Sequence, residues 1–246
     1  DLDREGMLID GFDEIATFEE QYNYDYYKDL MVACGFEKDV DWIEYNIKVP
    51  KTIDDKVNKV ADRVQEQYKL RNAEKGKKKD FLKKYAPGIF KLIDEAYGPL
   101  YGVVPYTDKV RQQIIDQFNL FISLDYISMV VDENDDVIAF GFAIPSLSEV
   151  VNKYEGRLTP FSILPILKAA YHPKQLDLAL IAVKPGWKTK GVPALIFREM
   201  LSNLINNGIE SLETNLMLED NHSIQQLWKG YEHRQHKRRR SWVKNI

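Results

Sequence analysis

The stretch Leu178–Phe197, "LALIAVKPGWKTKGVPALIF", constrains this chain more than any other part of it. An apolar run stopped by Pro185 reads as a buried strand, a short Lys/Gly-rich loop follows, and Pro193 opens a helix that stops at Gly208. A strand running straight into a helix turns free backbone N–H groups and the positive helix end toward the loop. That layout suits an anion such as a pyrophosphate. Lys188 and Lys190 add charge there, and Gly191 lets the backbone approach a ligand closely. The spacing is neither that of a Walker loop nor that of a dinucleotide-binding glycine motif.

The elements around this corner set the fold class. Residues 52–66 read as a helix with Ile53, Val57, Val60 and Val64 on one stripe and a capping-box-like start at Thr52 and Asp55. Helices are also expected over 81–97 and 107–119, the second capped by Thr107. "YISMVVDENDDVIAFGFAIP" predicts a hairpin of Ile127–Val131 and Val137–Ala143. "IESLETNLML" reads as a strand, "HSIQQLWKGYE" as a short helix capped by Asn221, and "RRSWVKNI" as a last strand. The expected fold is α/β, with a mixed, mostly antiparallel sheet flanked by helices.

Composition narrows the function classes. The 246 residues are 44% hydrophobic and 29% charged, with a net charge of −4, an ordinary globular balance. Six Lys/Arg against one acid fall in Tyr231–Ile246, so the rest of the chain is distinctly acidic. A nucleic-acid binder spreads basic charge over a face, and this distribution argues against one. The single cysteine, Cys34, excludes an internal disulfide and reads as a small buried hydrophobe among apolar neighbours. No apolar run approaches the 18 or so residues of a membrane span, so a cytoplasmic protein is expected. The histidines show no metal-ligand spacing.

"IAVKP" followed by Lys188, Gly191 and Pro193, with "EDNHSIQQLWKGYE" downstream, resembles the GNAT superfamily of acyl-CoA-dependent N-acyltransferases. Gly191 matches the loop pattern of that family strictly; Lys188 stands for Gln or Arg, and Pro193 replaces a small residue and removes an N–H. The resemblance implies an acetyl-CoA or other acyl-CoA co-substrate. Ile181, Ala182, Val183, Lys188, Thr189, Lys190, Gly191, Val192, Pro193 and Ala194 would hold it, with Asn221 and Trp228 alongside. Trp228 stands where the family often has the Tyr that protonates the departing thiolate. An indole does not titrate usefully, so Tyr231, three residues on and hence on the same helical face, is the substitute acid. Asp177 and Glu213 are the expected bases, with Glu219 and His222 behind them. The acceptor implied is a small-molecule or peptide amine.

"YNYDYYKDLMVACGFEKDVDWIEY" resembles the end of another such domain. The expected organisation is a C-terminal remnant of a first GNAT-like half over 1–51, a connecting helix over 52–66 and a complete domain over 67–246, as in a fragment of a tandem protein. Two other readings stand beside acyl transfer: a GNAT-shaped scaffold or ligand-binding module without turnover, and nucleic-acid binding through the basic tail. On a strand, Arg238 and Arg240 face one way and Lys237 and Arg239 the other. One pair would meet an anionic ligand or form salt bridges to the acidic remainder.

Overall fold

The computed structural model describes residues 5–17 and 20–245, with 117–121 described by backbone alone. Asp1–Arg4, part of the expected first half, and Ile246, the end of the expected last strand, lie outside the described residues. The strands are β1 Met7–Asp10, β2 Glu37–Lys48, β3 Arg71–Asn72, β4 Ile127–Val131, β5 Val137–Pro145, β6 Gln175–Val183, β7 Ser211–Thr214, β8 Met217–Leu218 and β9 His233–Val243. The helices are α1 Tyr26–Ala33, α2 Asp55–Tyr68, α3 Lys78–Tyr97, α4 Asp108–Phe121, α5 Ser148–Lys153, α6 Pro160–Tyr171, α7 Pro193–Asn206 and α8 His222–Gln225. The fold is α/β with largely antiparallel pairing.

The chain divides into two compact units. The first takes the N-terminal part up to Val49, Pro145–Asp177 and Glu210 onward. Its strand order is β1-β9-β2-β7, with β8 also on β2 and the first residues of β6 beside β7. The long β2–β9 pair sets Asp41 opposite Arg240, Trp42 opposite Arg239, Ile43 opposite Arg238 and Glu44 opposite Lys237. Two register shifts interrupt the pair, and such bulges add local twist.

The second unit holds Pro50–Ile144 and Leu178–Ile209. Its strands run β6-β5-β4-β3, and the β4–β5 hairpin forms where the alternation of apolar and turn-forming residues places it. Phe81, Tyr85, Phe90 and Ile93 of α3 bury one helical face against Met129, Val131 and Phe140, each large side chain contributing about 1.5–3 kcal/mol on burial. Glu199 of α7 accepts from Asn72 (2.6 Å) and Ser128 (2.8 Å) and pairs with Lys75 (2.7 Å), tying α7 to β3 and β4.

Several local expectations are corrected. Asp54, not Thr52, caps α2, its carboxylate accepting from the Lys56 N–H at 2.8 Å. Cys34 is exposed, because α1 buries none of its residues and so offers no core for it. Asn221 precedes α8 without a side-chain cap. The helix lasts only four residues before a 3-10 turn, Gln226–Trp228, so Tyr231 lies past it and not on a shared helical face. No helix among the described residues is long and apolar enough to cross a membrane.

Candidate functional site

In the second unit, β6 ends at Val183, Pro185–Trp187 form a turn, Lys188–Lys190 make a 3-10 turn, and α7 begins at Pro193. Gly191 adopts φ +82°, and a Cβ there would stand 2.9 Å from Val60 Cγ1 and 3.2 Å from Val64 Cγ2 of α2. This glycine is therefore required by its backbone and by helix packing, independently of any ligand. Lys188, Thr189 and Lys190 are exposed. The Lys190 ammonium lies 4.1 Å from the Trp187 ring centroid and 5.2 Å from that of Tyr68, a cation–π arrangement that restrains it.

The corner fits an anion by charge and by the polarity of a fourteen-residue helix. It does so with fewer amides than the layout alone suggests. The Ala194 N–H donates to the Gly191 carbonyl and the Leu195 N–H to that of Val192, both at 3.0 Å; the Lys190 N–H donates to Trp187 at 3.1 Å. Pro193 has none to give.

Upstream on β6, Ala182 and Val183 are buried and Ile181 is half-buried. The Tyr97 hydroxyl, from the last residue of α3, donates to the Ile181 carbonyl at 2.8 Å, and the Ile181 N–H donates back at 3.3 Å. Burial of this hydroxyl pushes its pKa up to about 12, outweighing the backbone hydrogen bond. The edge of β6 at Ile181 is thus completed by a side chain. Tyr97 has no motif around it, and its partner is 84 residues away, so no local pattern points to it.

In the first unit, the sequence-predicted residues fall in different settings. Asp177 is buried near the start of β6. Glu213 on β7 is buried among Lys237, which bonds to it directly, His236 Nε2 at 3.2 Å and Gln175 Nε2 at 2.9 Å. Burial alone would raise the Glu213 pKa, but the His236 hydrogen bond and the Lys237 charge outweigh it and hold it below the ordinary value. Glu219 pairs with Lys38 and, at 2.8 Å, with Arg238, and His222 is exposed at the start of α8. Trp228 is buried; Tyr231 is half-buried, its N–H donating to the Trp228 carbonyl at 2.9 Å.

The basic run of β9 divides by face. Arg240 Nε and Arg238 Nη1 donate to the two carboxylate oxygens of Asp41 at 2.7 and 2.9 Å. Burial pushes the Asp41 pKa up, but Arg240 and Arg238 outweigh it and bring it to about 2. On the other face, the Lys237 ammonium pairs with Glu44 at 2.9 Å and with Glu213, while Arg239 meets Glu44 and Glu20 at 3.2 and 3.3 Å. Burial disfavours the charged lysine, yet Glu44 and Glu213 hold its pKa above the usual value. Glu44, Glu213 and His236 have the donor types of a metal site and lie within 4.8 Å of one another. Lys237 already supplies the cation between the two carboxylates, so the cluster reads as an ion-pair network. A separate cleft of about 420 Å³ beside α5 and α6, with Lys153, Lys168, His172 and Glu210 in its wall, contains none of the predicted site residues.

Among solved structures, the chain is similar to a GCN5-related N-acetyltransferase from Sphaerobacter thermophilus, with a TM-score of 0.53 and 9% identity over 90% of this chain and 57% of that one. The fold is GNAT-like. A second GNAT match is a GCN5-related glucosamine N-acetyltransferase region of a fungal multi-domain GH3 β-N-acetylglucosaminidase, with a TM-score of 0.51 and 10% identity over 88% of this chain and 22% of that one. The chain therefore spans little more than half of the first GNAT structure and under a quarter of the second. No family model matches the sequence, and no curated protein does.

Proposed function

We propose that this chain is an acyl-CoA-dependent N-acyltransferase whose acceptor is a small-molecule or peptide amine. The observation that carries the reading is the Val183–Pro193 corner, a strand, a basic glycine turn and a helix N-terminus in a GNAT-like fold. Lys188, Thr189 and Gly191 would hold the coenzyme's pyrophosphate there, and Ile181–Val183 and Ala194 would flank it. An acyl-CoA supplies a thioester carbon open to direct attack by an amine. Of the two expected bases, Glu213 is already hydrogen-bonded by Lys237 and His236 with its pKa lowered, which makes it a weak base. Asp177 is then the base to test, and Tyr231 the proton donor. The same reading takes 1–51 as the end of a first GNAT-like half, 52–66 as the link and 67–246 as a complete domain, in a cytoplasmic protein.

The test is thiol release from acetyl-CoA against panels of amines, amino acids and peptides. Activity with one acceptor class, reduced at least tenfold in Tyr231→Phe or Asp177→Asn, supports the reading. A second reading, a GNAT-shaped binding module without turnover, is favoured by the engagement of Glu213 and by Tyr97 on the β6 edge. It predicts coenzyme A binding with no thiol release from any acceptor.

A further inference from the structure

Helix α6 is inside out. Its one buried residue is Ser162, whose hydroxyl donates to the Arg157 carbonyl at 2.9 Å and whose N–H is capped by Thr159. The large side chains point away from the protein: Leu158 is 81% exposed, Phe161 83%, Leu164 73% and Tyr171 76%, with Ile163 and Leu167 exposed beside them. Phe161, Leu164 and Tyr171 recur at helical spacing and make one stripe.

The six side chains together present on the order of 600 Å² of apolar surface. That equals or exceeds the largest patch of a typical monomer. A standard interface takes about 800 Å² from each partner, roughly two-thirds of it apolar in homodimers, so the stripe is about the size of one half of such an interface.

We infer that α6 is a self-association surface whose partner is a second copy of this chain, the two stripes packing antiparallel about a two-fold axis. A single straight stripe meets its own copy in that way without forming an open filament. The antiparallel arrangement carries Arg157, just before one helix, to the C-terminal carbonyls of the other, where positive charge is favoured. The rim is mixed in charge: Arg157 pairs with Glu155 at 3.0 Å and Lys174 with Glu210 at 2.9 Å, while Lys153 and Lys168 are exposed. An anionic lipid surface is therefore the competing occupant that the vesicle measurement below decides.

Sedimentation equilibrium over nanomolar to high micromolar protein tests this. The wild type is expected to dimerise in the micromolar range. Phe161→Glu and Leu164→Glu should each weaken the dimer on the order of thirtyfold, with unchanged circular dichroism because neither side chain is buried. Ser162→Ala, which removes the hydroxyl's bonds to the Arg157 carbonyl and the Thr159 N–H, should lower the melting temperature while the folded fraction still dimerises. A wild type that stays monomeric throughout, or a dimer indifferent to both glutamates, overturns the inference. Co-sedimentation of monomer with vesicles of phosphatidylglycerol and phosphatidylcholine, lost in Leu164→Glu, also overturns it and assigns the stripe to a lipid surface.

Discussion

The Tyr97 hydroxyl holds both backbone groups of Ile181, donating to its carbonyl at 2.8 Å and accepting from its N–H at 3.3 Å. In a strand these two groups point to the same edge, so one phenol stands where a neighbouring strand or an amide-bearing ligand would pair. Tyr97→Phe keeps the ring and leaves both groups of Ile181 without that partner. The expected loss is about 1–3 kcal/mol, read from urea denaturation. The phenol's raised pKa works in the same direction at high pH. Its contribution is present below about pH 10, the ordinary tyrosine value, and is lost as pH rises toward 12.

Gly191 carries two separable constraints, a φ of +82° and contact with Val60 and Val64. Gly191→Ala should cost about 1–3 kcal/mol. Adding Val60→Ala should recover the steric part and leave the backbone part, so the double variant falls between Gly191→Ala and Val60→Ala-corrected wild type. Equal stability of Gly191→Ala and wild type would show that the turn relaxes at no cost.

Lys237 is buried between Glu44 and Glu213. Lys237→Met leaves two buried carboxylates without their ammonium, and a loss of about 3–5 kcal/mol is expected. A triple variant with Glu44→Gln and Glu213→Gln should regain most of it, because neutral amides tolerate the apolar neighbour. Thermal and chemical denaturation of the three proteins checks this.

Acid sensitivity follows from Asp41. Its folded pKa is lowered from 3.8 to about 2, so its stabilisation is fully present above pH 3.8 and is lost as pH falls toward 2. The amount is about 2 kcal/mol. Glu213, also lowered, loses its contribution in the same direction below its ordinary value of 4.5. Arg240→Gln should flatten the stability profile across this window, measured as urea midpoints between pH 5 and 2.

Much of this architecture was legible where a local rule decides. Pro193 at the start of α7 and Gly208 past its end follow from their backbone chemistry. The hairpin follows from an acidic turn between two apolar runs, and the division of Lys237–Arg240 between two faces from strand alternation. What was not legible depends on partners far away in the chain. Tyr97 finds Ile181 across 84 residues, and Glu44 meets Arg239 across 195. Cys34 and the α6 side chains are apolar by type yet exposed, since hydrophobicity does not say whether a covering element exists. Tyr231 left its expected helical face because α8 gives way to a 3-10 turn after four residues.

The measurement that bears most directly on the account is calorimetric titration of acetyl-CoA into the wild type and into Lys188→Glu. Saturable heat is expected with the wild type and affinity at least tenfold weaker in the variant, with the melting temperature in the absence of acetyl-CoA unchanged because Lys188 is exposed. Absence of heat at millimolar acetyl-CoA, or equal affinity in the two proteins, would contradict it.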